Sequence, residues 1–134
     1  MRYDRTVHLD DDFATAVARV RDALAEQGFG ILTEIDVTAT LKAKLDQDME
    51  DYVILGACNP PLAHRALEAD RTVGLLLPCN VVVRRDGDRT AVQALDPQTM
   101  TSVTGLDALR PVAEEATRRL DAALSALTGA HTDR

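Results

Sequence analysis

The stretch VGLLLPCNVVVRRDGDRTAVQAL, residues 73–95, decides the fold because it has the pattern of two strands joined by a tight turn. Val73 to Arg85 is the longest β-rich stretch, Asp86-Gly87 is a strong hairpin signal, and Arg89 to Leu95 supplies the returning strand. Pro78 lacks the N–H that an inner strand needs, so we expect it at an edge or a bulge. The sequence therefore predicts an antiparallel hairpin here.

Helix and strand patterns alternate on the amino-terminal side of this hairpin. Asp10-Asp11-Asp12 offers N-caps for the first helix, and Gly28 is its natural stop. The predicted elements are a strand over Tyr3–Leu9, a helix from Phe13 to Leu24, a half-buried strand over Phe29–Val37 with Ile31, Thr33 and Ile35 on one face, a short surface helix capped by Thr38, an inner strand from Tyr52 to Ala57, and a helix that Pro61 opens and that ends near Asp70.

A single long helix is predicted on the carboxyl-terminal side. After a loop at Asp96-Pro97, apolar residues recur at helical spacing from about Leu106 to Leu127, with Pro111 in the first turn. The order β-α-β-α-β-α-β-β-α predicts an α+β fold, a two-layer sandwich of one mixed sheet with packed helices. We expect residues 1–134 to form one domain, with residues 129–134 as a frayed tail.

Length, composition and charge exclude several classes of function. The 134 residues are 46% hydrophobic and 28% charged, as in an ordinary folded domain. A formal charge of −7 disfavours nucleic acid and anionic lipid as partners, and aromatic residues at 3% argue against a site that stacks bases. No apolar run is long enough for a membrane span, and the charged amino terminus lacks a signal peptide's apolar stretch. We therefore expect a cytoplasmic protein whose Cys58 and Cys79 are reduced.

Three segments go beyond these general patterns. They are Phe29–Val37 with Ala39-Thr40-Leu41 and Lys44-Leu45, Gly56-Ala57-Cys58-Asn59-Pro60 with Leu62-Ala63 and Ala66-Leu67, and Gly74–Val83 with its Leu-Pro-Cys-Asn-Val core. In this order and spacing the chain resembles the bacterial and archaeal family called domain of unknown function 302. The resemblance implies a small α+β domain that often stands alone and is able to form homodimers. It implies no reaction and no catalytic residues.

The two Cys-Asn dipeptides, Cys58-Asn59 and Cys79-Asn80, are the main candidate site. A right-handed crossover from the Tyr52 strand to the Val73 strand would make the strands parallel and bring the dipeptides to similar heights. The functional interpretation is a reactive thiol, or a soft-metal or small-anion site, with Cys58 activated by a helix N-terminus. The alternative is that the cysteines are core residues and the asparagines tie turns together. Neither cysteine has the close-spaced partners of a zinc site, so no metal ligand is assigned.

Two other clusters have structural explanations that we weigh above functional ones. Glu34 and Asp36 share a strand face and are a candidate acid–base pair, but a solvated face or ion pairs with Lys42 and Lys44 are the favoured explanation. Arg84, Arg85 and Arg89 make a small basic tip at the predicted hairpin. The tip suits an anion or an acidic partner, although a solvated hairpin end is the simpler interpretation.

Two hypotheses of function remain, and the sequence names no cofactor for either. The first is a non-enzymatic homodimeric module that binds a small ligand or partner in a groove near the Cys-Asn segments. Dimerisation is expected because the Tyr52 strand is apolar on both faces. The second is a cysteine-dependent enzyme or redox sensor, with Cys58 as the active thiol and Cys79 as the resolving thiol or second ligand. Whether the protein is an enzyme stays open at this point.

Overall fold

The computed structural model describes residues 2–129, which form one five-stranded sheet with helices around it. The strands are β1 (Asp4–Leu9), β2 (Gly30–Asp36), β3 (Tyr52–Cys58), β4 (Cys79–Asp86) and β5 (Arg89–Leu95). The helices are α1 (Phe13–Glu26), α2 (Val37–Leu45), α3 (Pro60–Ala69), α4 (Gln98–Thr104) and α5 (Arg110–Thr128), with 3-10 helices at Arg71–Leu76 and Asp107–Leu109. The predicted α+β class is confirmed.

The sheet has one face covered by helices and one face without them. Its order is β1-β5-β4-β3-β2, so β3 is an inner strand as predicted. Alternate residues of β3 and β4, such as Leu55 and Val83, are fully buried against α1 and α5. We call this the helix face. The residues between them, such as Ile54, Val82 and Arg84, are half-buried and lie on what we call the outer face.

Local capping signals place most helix ends where the sequence predicts them. The Asp12 carboxylate accepts a hydrogen bond from the Thr15 N–H at 2.8 Å and begins α1, and Gly28 follows its end with φ +85°. Pro111 lies in the first turn of α5, as expected. The hairpin is also confirmed, since Gly87 has φ +62° between β4 and β5.

The strand predicted to start at Val73 is wrong in its first half. Arg71–Leu76 is a 3-10 helix that Asp70 caps by accepting from the Thr72 N–H at 3.2 Å, and β4 begins only at Cys79. Val73 is buried in a second apolar cluster with Leu62, Leu109 and Val112. Helix–helix packing therefore determines the conformation of this short apolar run, which β-propensity alone misassigns. The predicted loop after Pro97 also contains a helix, α4.

The predicted parallel pairing of β3 with β4 is wrong as well. Ala57 pairs with Cys79 and Tyr52 with Arg84, so the two strands are antiparallel, as is every other strand pair in residues 2–129. The connection through α3 does not cross the sheet. It packs into the second apolar cluster and returns to the end of the sheet that it left.

An irregularity in β2 changes which of its side chains are buried. The register shifts between Ile31 and Thr33, so Ile31 packs against the core while Ile35 pairs with Ile54 on the outer face and is 49% exposed. The prediction that Ile31 and Ile35 share a face is therefore wrong. The physical reason is a β-bulge, which reverses the alternation of the residues beyond it.

The carboxyl terminus is described only as far as Gly129. Gly129 has φ +65° and ends α5, and the rest of the predicted frayed tail, residues 130–134, lies outside the described residues. No helix within residues 2–129 combines the length and the apolarity that crossing a bilayer requires. The assignment of residues 1–134 to one domain stays a prediction.

Candidate functional site

The two Cys-Asn dipeptides meet at one end of the sheet, but with an offset of one residue. Cys58 ends β3 and Cys79 begins β4, and Cys79 pairs with Ala57 rather than with Cys58. Because successive side chains of a strand point to opposite faces, Cys79 lies on the helix face and Cys58 on the outer face. Antiparallel pairing thus brings the dipeptides together, whereas the expected crossover would have run the strands in parallel.

Gly56 allows the two segments to approach each other closely. A Cβ on Gly56 would collide with Thr33 Oγ1 and would lie 2.9 Å from Pro78 Cγ. Gly56 pairs with Asn80 of β4, and both residues lie on the outer face. Only a glycine therefore fits where β2, β3 and the Leu77-Pro78 segment converge.

The Asn59 side chain links the start of α3 to the end of α1 by hydrogen bonds, and we call this link the Asn59 bracket. Its side chain is nearly buried, its Oδ1 accepts from the Leu62 N–H at 3.3 Å, and its Nδ2 donates to the Gln27 carbonyl at 3.5 Å. The Gln27 carbonyl also accepts from Arg119 Nη1 at 3.1 Å. These bonds use the amide of Asn59 for helix capping. This agrees with the structural interpretation of the sequence, in which the asparagines tie turns together.

Cys79 has the surroundings of a core thiol. Its Sγ donates to the Leu95 carbonyl at 3.8 Å, and burial, together with the nearby Asp96 carboxylate, raises the pKa of the thiol to about 11. Because the thiolate is the nucleophile and the metal ligand, a thiol that stays protonated at neutral pH suits neither role. Both cysteines are free rather than joined in a disulfide.

A small apolar cavity lies between the dipeptides. Cys58, Asn59 and Cys79 border it, and the rest of its wall is apolar, including Phe29, Leu62, Met100 and Val112. Its volume is about 50 Å³. That is room for a few water molecules but not for a metabolite, since a small-molecule pocket typically measures roughly 300–1,000 Å³. In the part of the chain that the structure describes, no three histidine, cysteine or acidic side chains gather as metal ligands would.

Asn80, the fourth predicted site residue, belongs to a different and larger depression. This outer-face groove has a volume of about 420 Å³. The groove is lined by Arg2, Tyr3, Asp4, Tyr52, Asn80, Val82, Gln93, Ala94 and Leu95, so the Arg2–Asp4 ion pair is part of its wall. Cys58, Asn59 and Cys79 thus border one cavity, and Asn80 lines a separate groove. The sequence does not predict this groove, because the residues that line it come from the start of the chain and from β3, β4 and β5.

The two predicted carboxylates, Glu34 and Asp36, interact with different partners and do not form a pair. Glu34 forms an ion pair with Arg21 of α1, while the Asp36 carboxylate caps α2 by accepting from the Ala39 N–H at 2.9 Å. Lys42 pairs with Asp46 and Asp48 instead of with either predicted acid. Each carboxylate therefore has a structural role, and the arrangement does not resemble an acid–base dyad.

The predicted basic tip is also dispersed. Arg85 points to the helix face and donates to the Asp11 carbonyl at 3.1 Å and to Thr90 Oγ1 at 2.9 Å. Arg89 donates to the His8 carbonyl at 3.0 Å. Arg84 lies on the outer face and donates from Nε to Gln93 Oε1 at 2.9 Å. Strand alternation sends neighbouring arginines to opposite faces, so they do not form one patch.

Comparison with known proteins agrees with the fold and leaves the chemistry open. The family model described as "Domain of unknown function DUF302" matches residues 5–127. The crystal structure of the uncharacterized conserved protein DUF302 from Bacillus stearothermophilus is similar, with 29% sequence identity and a TM-score of 0.89. The match covers 95% of this chain and 99% of that one. No curated protein matches the chain.

Proposed function

The chain belongs to the DUF302 family, whose description names no function, and from the geometry we propose that it is a non-enzymatic module that binds a small ligand in the outer-face groove and works as a homodimer. The observation that carries this proposal is the groove itself. Its volume of about 420 Å³ falls in the usual range for small-molecule sites, roughly 300–1,000 Å³, whereas the cavity at the cysteines does not.

The lining of the groove supports ligand binding because it combines apolar surface with unused polar groups. Val82 and Leu95 supply apolar contact, and Asn80 is an exposed side chain at one end. Within residues 2–129 neither the Asn80 amide nor the Tyr52 hydroxyl makes a side-chain hydrogen bond to protein. Both are available to fix the orientation of a bound molecule, which is how specificity arises in largely apolar sites.

Strand β2 and helix α2 form one edge of the sheet, which we call the β2–α2 edge. This edge supports the homodimer, and it lies apart from the groove. None of the α2 side chains is buried, and Leu32, Ile35 and Leu45 are 65%, 49% and 63% exposed. A second copy is the favoured cover because an edge strand and the helix beside it make a twofold contact in which the same apolar residues meet their own counterparts. The groove, on the other half of the sheet, would stay open.

The alternative function, a thiol enzyme or sensor, receives less support. The pKa of Cys79, raised to about 11, disfavours it as a resolving thiol or second ligand at neutral pH. What remains for this alternative is Cys58, half-exposed just before α3. Alkylation at pH 7 separates the two functions, because an activated Cys58 would react much faster than a free thiol in a model peptide, and a binding module predicts that it does not.

The ligand-binding test uses native mass spectrometry of the purified protein and two matched variants. Val82→Asp places a charge in the middle of the groove, and Val103→Asp places the same charge on exposed α4. We expect the first variant to lose a retained small molecule and the second to keep it. Equal retention in both would contradict the groove as the site. If Val82→Asp fails to fold, Asn80→Ala gives the same comparison at an exposed position.

The dimer test compares two further leucine variants by sedimentation at micromolar concentration. Leu45→Asp alters the β2–α2 edge, while Leu75→Asp alters a leucine that is 85% exposed in the 3-10 helix. The proposal expects a dimer for the unchanged protein and for Leu75→Asp, and a monomer for Leu45→Asp. A monomeric unchanged protein, or a dimer that Leu75→Asp dissociates instead, would contradict it.

A further inference from the structure

Arg84 is a cation beside the groove, next to the lining residues Tyr52 and Gln93, and its charge is not neutralised by a neighbouring acid. It pairs with Tyr52 across β3 and β4, and Tyr52 lines the groove. Among the described residues no carboxylate lies within ion-pair distance of its guanidinium. Its one side-chain hydrogen bond goes from Nε to Gln93 Oε1, which leaves the two terminal nitrogens without a protein partner.

A row of hydrogen bonds across the outer face holds this guanidinium in place. Gln93 accepts from Arg84 and donates from Nε2 to Thr6 Oγ1 at 3.2 Å. The Thr6 hydroxyl donates in turn to Asp4, which Arg2 pairs at 2.8 Å. Because both ends of the Gln93 amide are engaged, Arg84 is oriented before any ligand arrives, and preorganisation of this kind lowers the cost of binding.

The other arginines of the outer face are already occupied, which distinguishes Arg84. Arg2 is paired with Asp4, and Arg89 donates to the His8 carbonyl and lies 3.4 Å from Asp10. Arg2 lines the groove but is paired with Asp4, whereas Arg84 beside the groove keeps two terminal nitrogens without a protein partner. A guanidinium with two free nitrogens matches a carboxylate, which accepts two parallel hydrogen bonds from it.

Beyond Arg84 the outer face along β4 presents one apolar pair of residues before it reaches Asn80. Val82 lies between Arg84 and Asn80, and Ile54 is its partner on β3. Four residues of an antiparallel strand span about 14 Å, so this is the length of the surface from the cation to the Asn80 amide. A ligand that fits it has an anionic head and an elongated apolar body.

We propose that the groove binds an apolar carboxylic acid, with its carboxylate on Arg84 and its chain lying over Val82 toward Asn80. This inference rests on the proposed function, because it names the ligand class of the same groove. A cationic ligand is disfavoured by Arg84, and a fully apolar one leaves the desolvated guanidinium without a partner.

Three probes with the same tail and different heads test the proposal. They are decanoate, 1-decanol and decyltrimethylammonium, titrated below their micelle concentrations and followed by amide NMR shifts at Tyr52, Val82 and Asn80. The matched variants are Arg84→Gln and Arg65→Gln, since Arg65 is exposed on α3 and does not line the groove. We expect decanoate to bind tightest, Arg84→Gln to weaken it at least about 10-fold, and Arg65→Gln to leave it unchanged.

The outcomes separate the two proposals. If none of the probes shifts the groove amides, the carboxylate inference fails, and the proposed function then depends on the retention test with Val82→Asp and Val103→Asp. If decanol binds as tightly as decanoate and Arg84→Gln changes neither, the carboxylate inference fails while the groove stands. Tighter binding of decyltrimethylammonium would likewise overturn the carboxylate inference alone.

Discussion

Cys58-Asn59 and Cys79-Asn80 are the same two residues in opposite situations. Asn59 follows the end of a strand, is 8% exposed and caps α3, whereas Asn80 lies within the start of a strand and is exposed in the outer-face groove. The cysteines differ in the opposite sense, because Cys79 of the second dipeptide lies on the helix face and Cys58 of the first lies on the outer face. The difference teaches that a repeated dipeptide does not carry a repeated role. Its place relative to the strand end decides whether the amide is used by the fold or is left exposed.

The largest expected effect comes from changing Gly56, where the two dipeptide segments meet. Gly56→Ala should lower the free energy of unfolding by about 3 kcal/mol, because the added methyl group collides with Thr33 and Pro78 in an overpacked site. Urea denaturation measures the loss. Gly74→Ala is the control, since its nearest neighbour would be Leu67 at 4.0 Å. Equal stability of the two variants would mean that the segments are not held together at Gly56.

The second prediction distinguishes the cysteines by pH. The pKa of Cys79 is about 11 in the folded protein against 9.0 for an unperturbed thiol, so above pH 9 the unfolded chain loses this proton before the folded one does. Its stabilising contribution is complete below pH 9 and is lost as the pH rises to 11, by about 2 kcal/mol. Thermal unfolding from pH 8 to 11 measures this. The slope should diminish in Cys79→Ala and persist in Cys58→Ala, and the reverse pattern would refute the assignment.

The third prediction concerns Asn59. Asn59→Ala removes the cap of α3 and the bond to the Gln27 carbonyl, so the free energy of unfolding should fall by about 1–2 kcal/mol. Asn59→Asp keeps the capping oxygen but loses the donor to Gln27, and it should recover part of the loss. Denaturant midpoints give both values. A neutral Asn59→Ala would show that the bracket is not needed.

These contrasts mark the limit of what the sequence predicts. Asp12 at a helix start and Gly87 in a hairpin turn are set by local chemistry, and both were predicted. The direction of β4 depends on how Val73 packs with Leu109, a contact between residues distant in the chain, and it was mispredicted. The groove was missed for the same reason. Asn80 was singled out for its resemblance to Asn59, yet its surroundings arise from strand register.

The smallest effect on stability is expected at Asn80, where the contrast with Asn59 is sharpest. Its side chain is exposed, so Asn80→Ala should change the free energy of unfolding by less than about 0.5 kcal/mol. If the amide orients a ligand in the groove, the same variant should weaken 10-hydroxydecanoate, whose terminal hydroxyl can hydrogen-bond the amide, and leave decanoate, whose tail offers no such partner, unchanged. A loss of stability as large as that of Asn59→Ala would instead make Asn80 a second structural bracket. In that case the two dipeptides would be equivalent, and the assignment of one to the fold and the other to a ligand would be wrong.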